Sequence, residues 1–175
     1  MPDADEDWLN RRYYGGDLPA EAERALHVAA ASWDDPAAVD AALAEAEALA
    51  PGHRAVLIGR YKSHFYRHEL AAAAPVALAC VRDSARALNL PADWRAVAPD
   101  PARFDSLEAE PRFFLFALKA YGYVCVRAGD VAEGTAALRK VVDLDPQDAT
   151  GTRRLLALVE AGGLPEEEEN DGEDG

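Results

Sequence analysis

The chain has 175 residues, half of them hydrophobic, and a formal net charge of −14, which supplies enough apolar material for one buried core. A surface this acidic excludes nucleic acid, whose phosphates need a basic face to displace counterions, and an anionic membrane would repel it. The charge is uneven: residues 165–175 hold seven acids and no base and residues 1–17 hold five acids and two arginines, leaving about −4 for the stretch between.

The opening, MPDADEDWLNRRYY, is acidic and lacks an apolar run of signal-peptide length, and no stretch approaches the ~18 apolar residues of a membrane span. A cytoplasmic location is the expectation, with an acidic leader over 1–17, a helical domain over 18–164 and an acidic tail over 165–175. Much of the hydrophobic fraction is alanine, in runs such as Ala71 to Ala74. Alanine is the strongest helix former but buries little area, so closely packed helices are expected.

In chain order, Asp17 can cap a first helix with Pro19 in its first turn, running to about Trp33. Asp35 can cap a second, with Val39, Leu43, Ala46 and Leu49 at helical spacing and Pro51 and Gly52 ending it. A second hairpin begins near His53; its first helix carries Leu57, Ile58, Tyr61 and Phe65, and its second spans about Ala71 to Leu88 with Pro75 in or near the first turn. Residues 89–110 form an insertion with Trp94 and Phe104, which either dock on the helices or mark a partner surface. Pro111 opens a long helix, Gly129 and Asp130 turn the chain, and Leu138 and Val141 seal a third hairpin that Pro146 ends. Asp148 or Thr150 starts a final helix, and Gly162 and Gly163 lead to a tail too polar to fold.

Within 115–146, LFALKAYGYVCVRAGDVAEGTAALRKVVDLDP, the residues Leu118, Tyr121, Gly122, Cys125, Gly134, Leu138 and Pro146 fall at the spacings of one helical-hairpin repeat. The segment resembles a tetratricopeptide repeat (TPR), departing from it at Cys125 and Gly134, where the family prefers an aromatic and an alanine. Residues 20–51 read as a weaker copy closed by Pro51. In the second hairpin two registers fit. Either His68 takes the turn-glycine slot, with Tyr61, His64, Ala73, Ala77 and Cys80 in the others, or a one-residue shift puts Tyr61 and Phe65 in the apolar slots.

The resemblance implies an all-α fold, a short TPR-like solenoid of about three antiparallel hairpins with a C-terminal capping helix. It also implies a concave groove lined by the first helix of each hairpin, with Lys62, Phe65, Tyr66, Lys119, Tyr123 and Arg127 facing it. Such a basic and aromatic strip suits an acidic or amphipathic segment of another protein, rings supplying most of the energy and cations the orientation. The alternative is that these are solvated cations beside core aromatics. The asparagines of the family's carboxylate clamp are missing at the matching places, which argues against chaperone C-termini as ligands. The PEEEEND run either keeps the chain soluble or folds back over Lys119 and Arg127 as a competitor.

No phosphate loop, nucleophile elbow or zinc-protease motif is present in the sequence, so a non-catalytic scaffold without a cofactor is the expectation. His64 and His68 lie four apart and could share one helix face, giving a rival reading as a metal-delivery protein, but no further ligand is placed to complete a site. A regulatory subunit acting through residues 89–110 is a third reading. Cys80 and Cys125 have no zinc-type spacing and read as reduced core residues. The segments RYKSHFYRHELAAAAPVALACV and PRFFLFALKAYGYVCVRAGDVAEGTAALRKVVDLDPQD together resemble small TPR proteins encoded among bacterial nitrogen-fixation genes. That resemblance implies an accessory protein binding nitrogenase or one of its assembly factors.

Overall fold

The structure, a computed structural model, describes residues 17–163. The leader up to residue 16 and the acidic tail assigned to 165–175 lie outside the described residues, and with the tail goes its suggested contact with Lys119 and Arg127. All regular structure among the described residues is helical: α1 (Ala20–Ala31), α2 (Pro36–Leu49), α3 (Arg54–Tyr66), α4 (Leu70–Ala87), a 3-10 turn (Trp94–Ala96), α5 (Pro101–Phe104), α6 (Ala109–Arg127), α7 (Val131–Leu144) and α8 (Thr152–Glu160).

Local chemistry sets these boundaries. Asp35 caps α2, its carboxylate accepting the Ala38 amide at 3.1 Å, and Asp130 caps α7 by accepting from Glu133 at 3.3 Å. The helix starting at Ala20 is not capped by Asp17 as expected; Pro19 holds that position without a side-chain bond. Asp17 is instead bonded at 3.1 Å to Nε2 of His53, whose Nδ1 accepts the Ala55 amide and so caps α3. Pro75 falls in the second turn of α4, past the amides that need no partner, so α4 forgoes one internal hydrogen bond there.

Four helices end alike. His68, Asn89, Gly129 and Gly162 are all left-handed, with φ of 58°, 55°, 98° and 82°. The next amide in each case bonds a carbonyl five residues back: Glu69 to His64, Leu90 to Ala85, Asp130 to Cys125 and Gly163 to Leu158. By this shared geometry His68 and Gly129 hold equivalent turn positions in their hairpins. Tyr66 and Arg127 then occupy matching positions, as do Lys62 and Tyr123.

Helices α1 and α2, α3 and α4, and α6 and α7 pair as hairpins; α4 packs on α6 as closely as within a hairpin, and α8 covers α7. One large core runs through α3 to α7, with Phe113 and Phe114 fully buried. The first hairpin is held by smaller clusters, such as Ala22, Ala25, Ala46, Ala50 and Val56. The insertion belongs to the main core: Trp94 and Phe104 are buried, Trp94 meets Tyr121 edge to face, and Lys140 donates to the Val97 carbonyl at 2.9 Å. These two rings therefore do not present a partner surface.

Helices α6 and α7 approach closely at Gly122 and Gly134. A Cβ added at Gly134 would lie 2.5 Å from the Gly122 carbonyl oxygen and 2.7 Å from the Val126 nitrogen. Both are backbone atoms, which cannot swing aside, so the glycine at the slot where the TPR family prefers alanine is a requirement of this hairpin. Gly134→Ala gains ~1 kcal/mol of helix propensity but meets an overpacking penalty of ~1–3 kcal/mol. We expect a net loss of up to about 2 kcal/mol in urea unfolding, whereas a stabilised variant would show that α6 and α7 are farther apart.

Candidate functional site

The first helices of the hairpins carry a continuous line of rings. Trp33, in the turn after α1, meets Tyr66 of α3 edge to face at 5.9 Å between centroids. Tyr66 meets Phe65 at 5.6 Å, Phe65 stacks on Tyr61 at 5.6 Å, and Phe65 reaches Tyr123 of α6 at 6.1 Å. Each spacing lies within the range in which aromatic pairs attract, at ~0.5–1.5 kcal/mol per pair beyond area burial. Exposure rises along the line: Tyr61 is buried, Phe65 and Tyr123 are half-buried, and Tyr66 and Trp33 are 41% and 47% exposed.

Three of the six groove candidates, Phe65, Tyr66 and Tyr123, are thus brought together. Lys62 lies one turn before Tyr66 on α3, and Arg127 one turn after Tyr123 on α6; both are half-buried. Lys119 is spent on the fold: its ammonium donates to the Thr150 carbonyl at 2.7 Å, tying α6 to the loop ahead of α8. That loop is itself built around Asp145, whose buried carboxylate accepts from the Ala149 and Thr150 amides and the Thr150 hydroxyl.

Trp33 was missed by sequence reasoning. Its signal was position, a large aromatic immediately before a hairpin turn, where Tyr66 also sits. Around this exposed end the charges are mixed, because Arg67 donates to Asp40 at 2.9 Å and to Glu69 at 3.0 Å.

The two histidines do not form the helix-face pair that their spacing offered. Helix α3 ends at Tyr66, so His68 sits in the left-handed turn beyond it. His64 is bonded through Nδ1 to Glu69 Oε2 at 2.7 Å, an anchored imidazole that also holds the Glu69 carboxyl below its usual range. Among the described residues no group of three or more histidines, cysteines or acids is arranged to hold a metal, and no helix is long and apolar enough to cross a membrane.

The cysteines are separate buried thiols on α4 and α6. Burial pushes Cys80 up to about 12 and Cys125 up to about 11, so thiolate is scarce in the folded protein at pH 8. Iodoacetamide at pH 8 should leave both unmodified in the native protein and alkylate both in urea, as read by mass spectrometry. Rapid native labelling of either would contradict the packing of α4 on α6.

No family model matches the sequence, and no solved structure matches it. An uncharacterized 19.8 kDa protein in the nifW 5′ region of Azotobacter chroococcum mcd 1 is 38% identical over 122 residues, which is 67% of this chain and 67% of that protein. At that identity and coverage, the chain belongs to the family of this nifW-region protein.

Proposed function

We propose that this protein is a non-catalytic, TPR-like scaffold that holds a segment of another protein along its aromatic strip, as an accessory or assembly factor of a nitrogenase-type enzyme complex. The observation that carries the binding role is the unbroken ring series from Trp33 through Tyr66 and Phe65 to Tyr123, which crosses the first, second and third hairpins. A cluster confined to one hairpin would be ordinary core. One that links all three and ends in two half-exposed rings is the kind of surface on which binding energy concentrates. The hairpin order, the repeated left-handed turns and the terminal α8 support the solenoid reading.

The partner segment fitted to this strip is amphipathic. It sets apolar side chains against Tyr66 and Trp33 and acidic groups toward Lys62 and Arg127. The link to nitrogen fixation rests on the position of the relative in a nif region together with the sequence resemblance.

A pull-down from a lysate of nitrogen-fixing cells at modest salt, read by mass spectrometry, tests both parts. We expect the wild type to retain a nitrogenase component or assembly factor, and the Trp33→Ala, Tyr66→Ala double variant to lose it by at least thirty-fold, about the 2 kcal/mol of a binding hot spot. Equal retention by both proteins would remove the strip from the function. Retention of a partner unrelated to nitrogen fixation would remove the nitrogenase assignment.

A further inference from the structure

Among the described residues, the buried side-chain polar atoms without a hydrogen-bond partner are Glu47 Oε2, Ser63 Oγ and Arg67 Nε. They cluster where α2 faces α3 and the turn that follows it. Each neighbouring atom is satisfied: Glu47 Oε1 accepts the Gly52 amide at 3.3 Å, and the two terminal nitrogens of Arg67 donate to Asp40 and Glu69. A buried polar atom left unpaired costs ~1–3 kcal/mol, more when it is charged, so three in one seam call for something that satisfies them.

Two of the three atoms, on Glu47 and Ser63, belong to residues lining a cleft of about 290 Å³ in the same seam; Arg67 stands outside it. Asp40, Leu43, Ala44 and Glu47 of α2 form one wall, and Arg60, Ser63 and His64 of α3 stand in the other; Asp40 and His64 are already paired, with Arg67 and Glu69. Ser63 is 1% exposed. At ~30 Å³ per water, the cleft would take about ten, far more than three orphan atoms need. It lies just below the ~300–1,000 Å³ of drug-sized sites, which points to a small metabolite.

The chemistry of the walls restricts what that metabolite is. Glu47 Oε2 accepts only, and wants a cationic N–H. Arg60 makes no hydrogen bond or ion pair with another described residue and wants an anion. Ser63 serves either, and Leu43 with Ala44 gives an apolar stretch alongside. A simple amine would leave the guanidinium unanswered, and a simple acid would leave the carboxylate so.

We propose that the cleft between α2 and α3 binds a free α-amino acid, its ammonium on Glu47 and Ser63, its carboxylate on Arg60 and its side chain against Leu43 and Ala44. The site uses none of the rings of the aromatic strip and does not depend on the scaffold reading. Because α2 belongs to the first hairpin and α3 to the second, an occupant would join the two through polar contacts where their shared apolar cluster is small and rich in alanine.

Isothermal titration of the full chain against the proteinogenic amino acids at millimolar concentration is the test. At least one is expected to bind saturably, with its N-acetyl and carboxamide derivatives each weaker by at least about ten-fold, the loss of ~1.4 kcal/mol. Arg60→Ala and Glu47→Gln should weaken it as much. Ala44→Leu, at an exposed position, should block the cleft without changing its charge, with helicity by circular dichroism confirming that each variant folds. Absence of saturable binding by every amino acid would overturn the proposal, leaving the cleft to water. Binding undiminished in both Arg60→Ala and Ala44→Leu would overturn it equally.

Discussion

A single buried cation ties the second hairpin to the third. Arg54, at the first position of α3, has a side chain only 8% exposed. It donates to Asp83 of α4 at 2.7 Å and to Glu110 of α6, and its guanidinium lies 4.5 Å from the ring centroid of Phe113. Ser84 adds a hydroxyl to Glu110 at 3.2 Å. Three helices therefore meet on one planar group whose fork dictates their relative rotation. Desolvation offsets much of the attraction in such a cluster, so its chief product is geometric. With α3 and α6 fixed at this end, Phe65 and Tyr123 meet farther along the same two helices.

Two further constraints extend that geometry. The Gly122 and Gly134 contact draws α7 against α6, bringing Glu133 within 2.8 Å of the Tyr121 hydroxyl and Arg95 of the insertion onto Glu133. The insertion is thereby clamped: Arg95 also covers the Trp94 ring at 4.2 Å, and Arg103 donates to the Leu88 carbonyl. A segment longer than most loops in a compact domain thus packs as core. Among the described residues, an ion pair that joins the first hairpin to the second, Arg67–Asp40, is more exposed. The first hairpin's attachment runs through alanines and a polar cleft, which bury little apolar area, so it is a part of the fold expected to open readily.

The order and most boundaries of the hairpin helices and of α8 were legible in the sequence because capping residues, prolines and 3.6-residue periodicity act locally; the two short helical turns of the insertion, Trp94–Ala96 and Pro101–Phe104, were not. Asp35, Gly129, Asp130 and Pro51 each do what their type predicts. The failures lie where a distant group intervenes. Asp17 was read as a cap, but His53, 36 residues on, takes it. His64 and His68 looked like a pair only while α3 was thought to continue past Tyr66; the left-handed turn separates them. Lys119 shares a helix face with Tyr123, as its spacing implies, yet a carbonyl of the α7–α8 loop claims its ammonium. Arg54 drew no notice, since nothing local marks an arginine whose partners are 29 and 56 positions away. Of the strip itself, Phe65, Tyr66 and Tyr123 were assigned only through the repeat resemblance, and Trp33 was not assigned to it, because it joins from a turn outside the first helices that the resemblance marks.

The central claim is that the Trp33–Tyr66 end of the ring series is where a partner sits. Hydroxyl-radical footprinting of the protein, free and in complex with its captured partner, measures this side chain by side chain. The account predicts that Trp33 and Tyr66, oxidised readily in the free protein, become protected in the complex, while Leu158 on α8 and Leu107 in the insertion, both exposed, react alike in the two states. Unchanged oxidation at Trp33 and Tyr66 with protection at either leucine would contradict it and move the interface to another face of the fold.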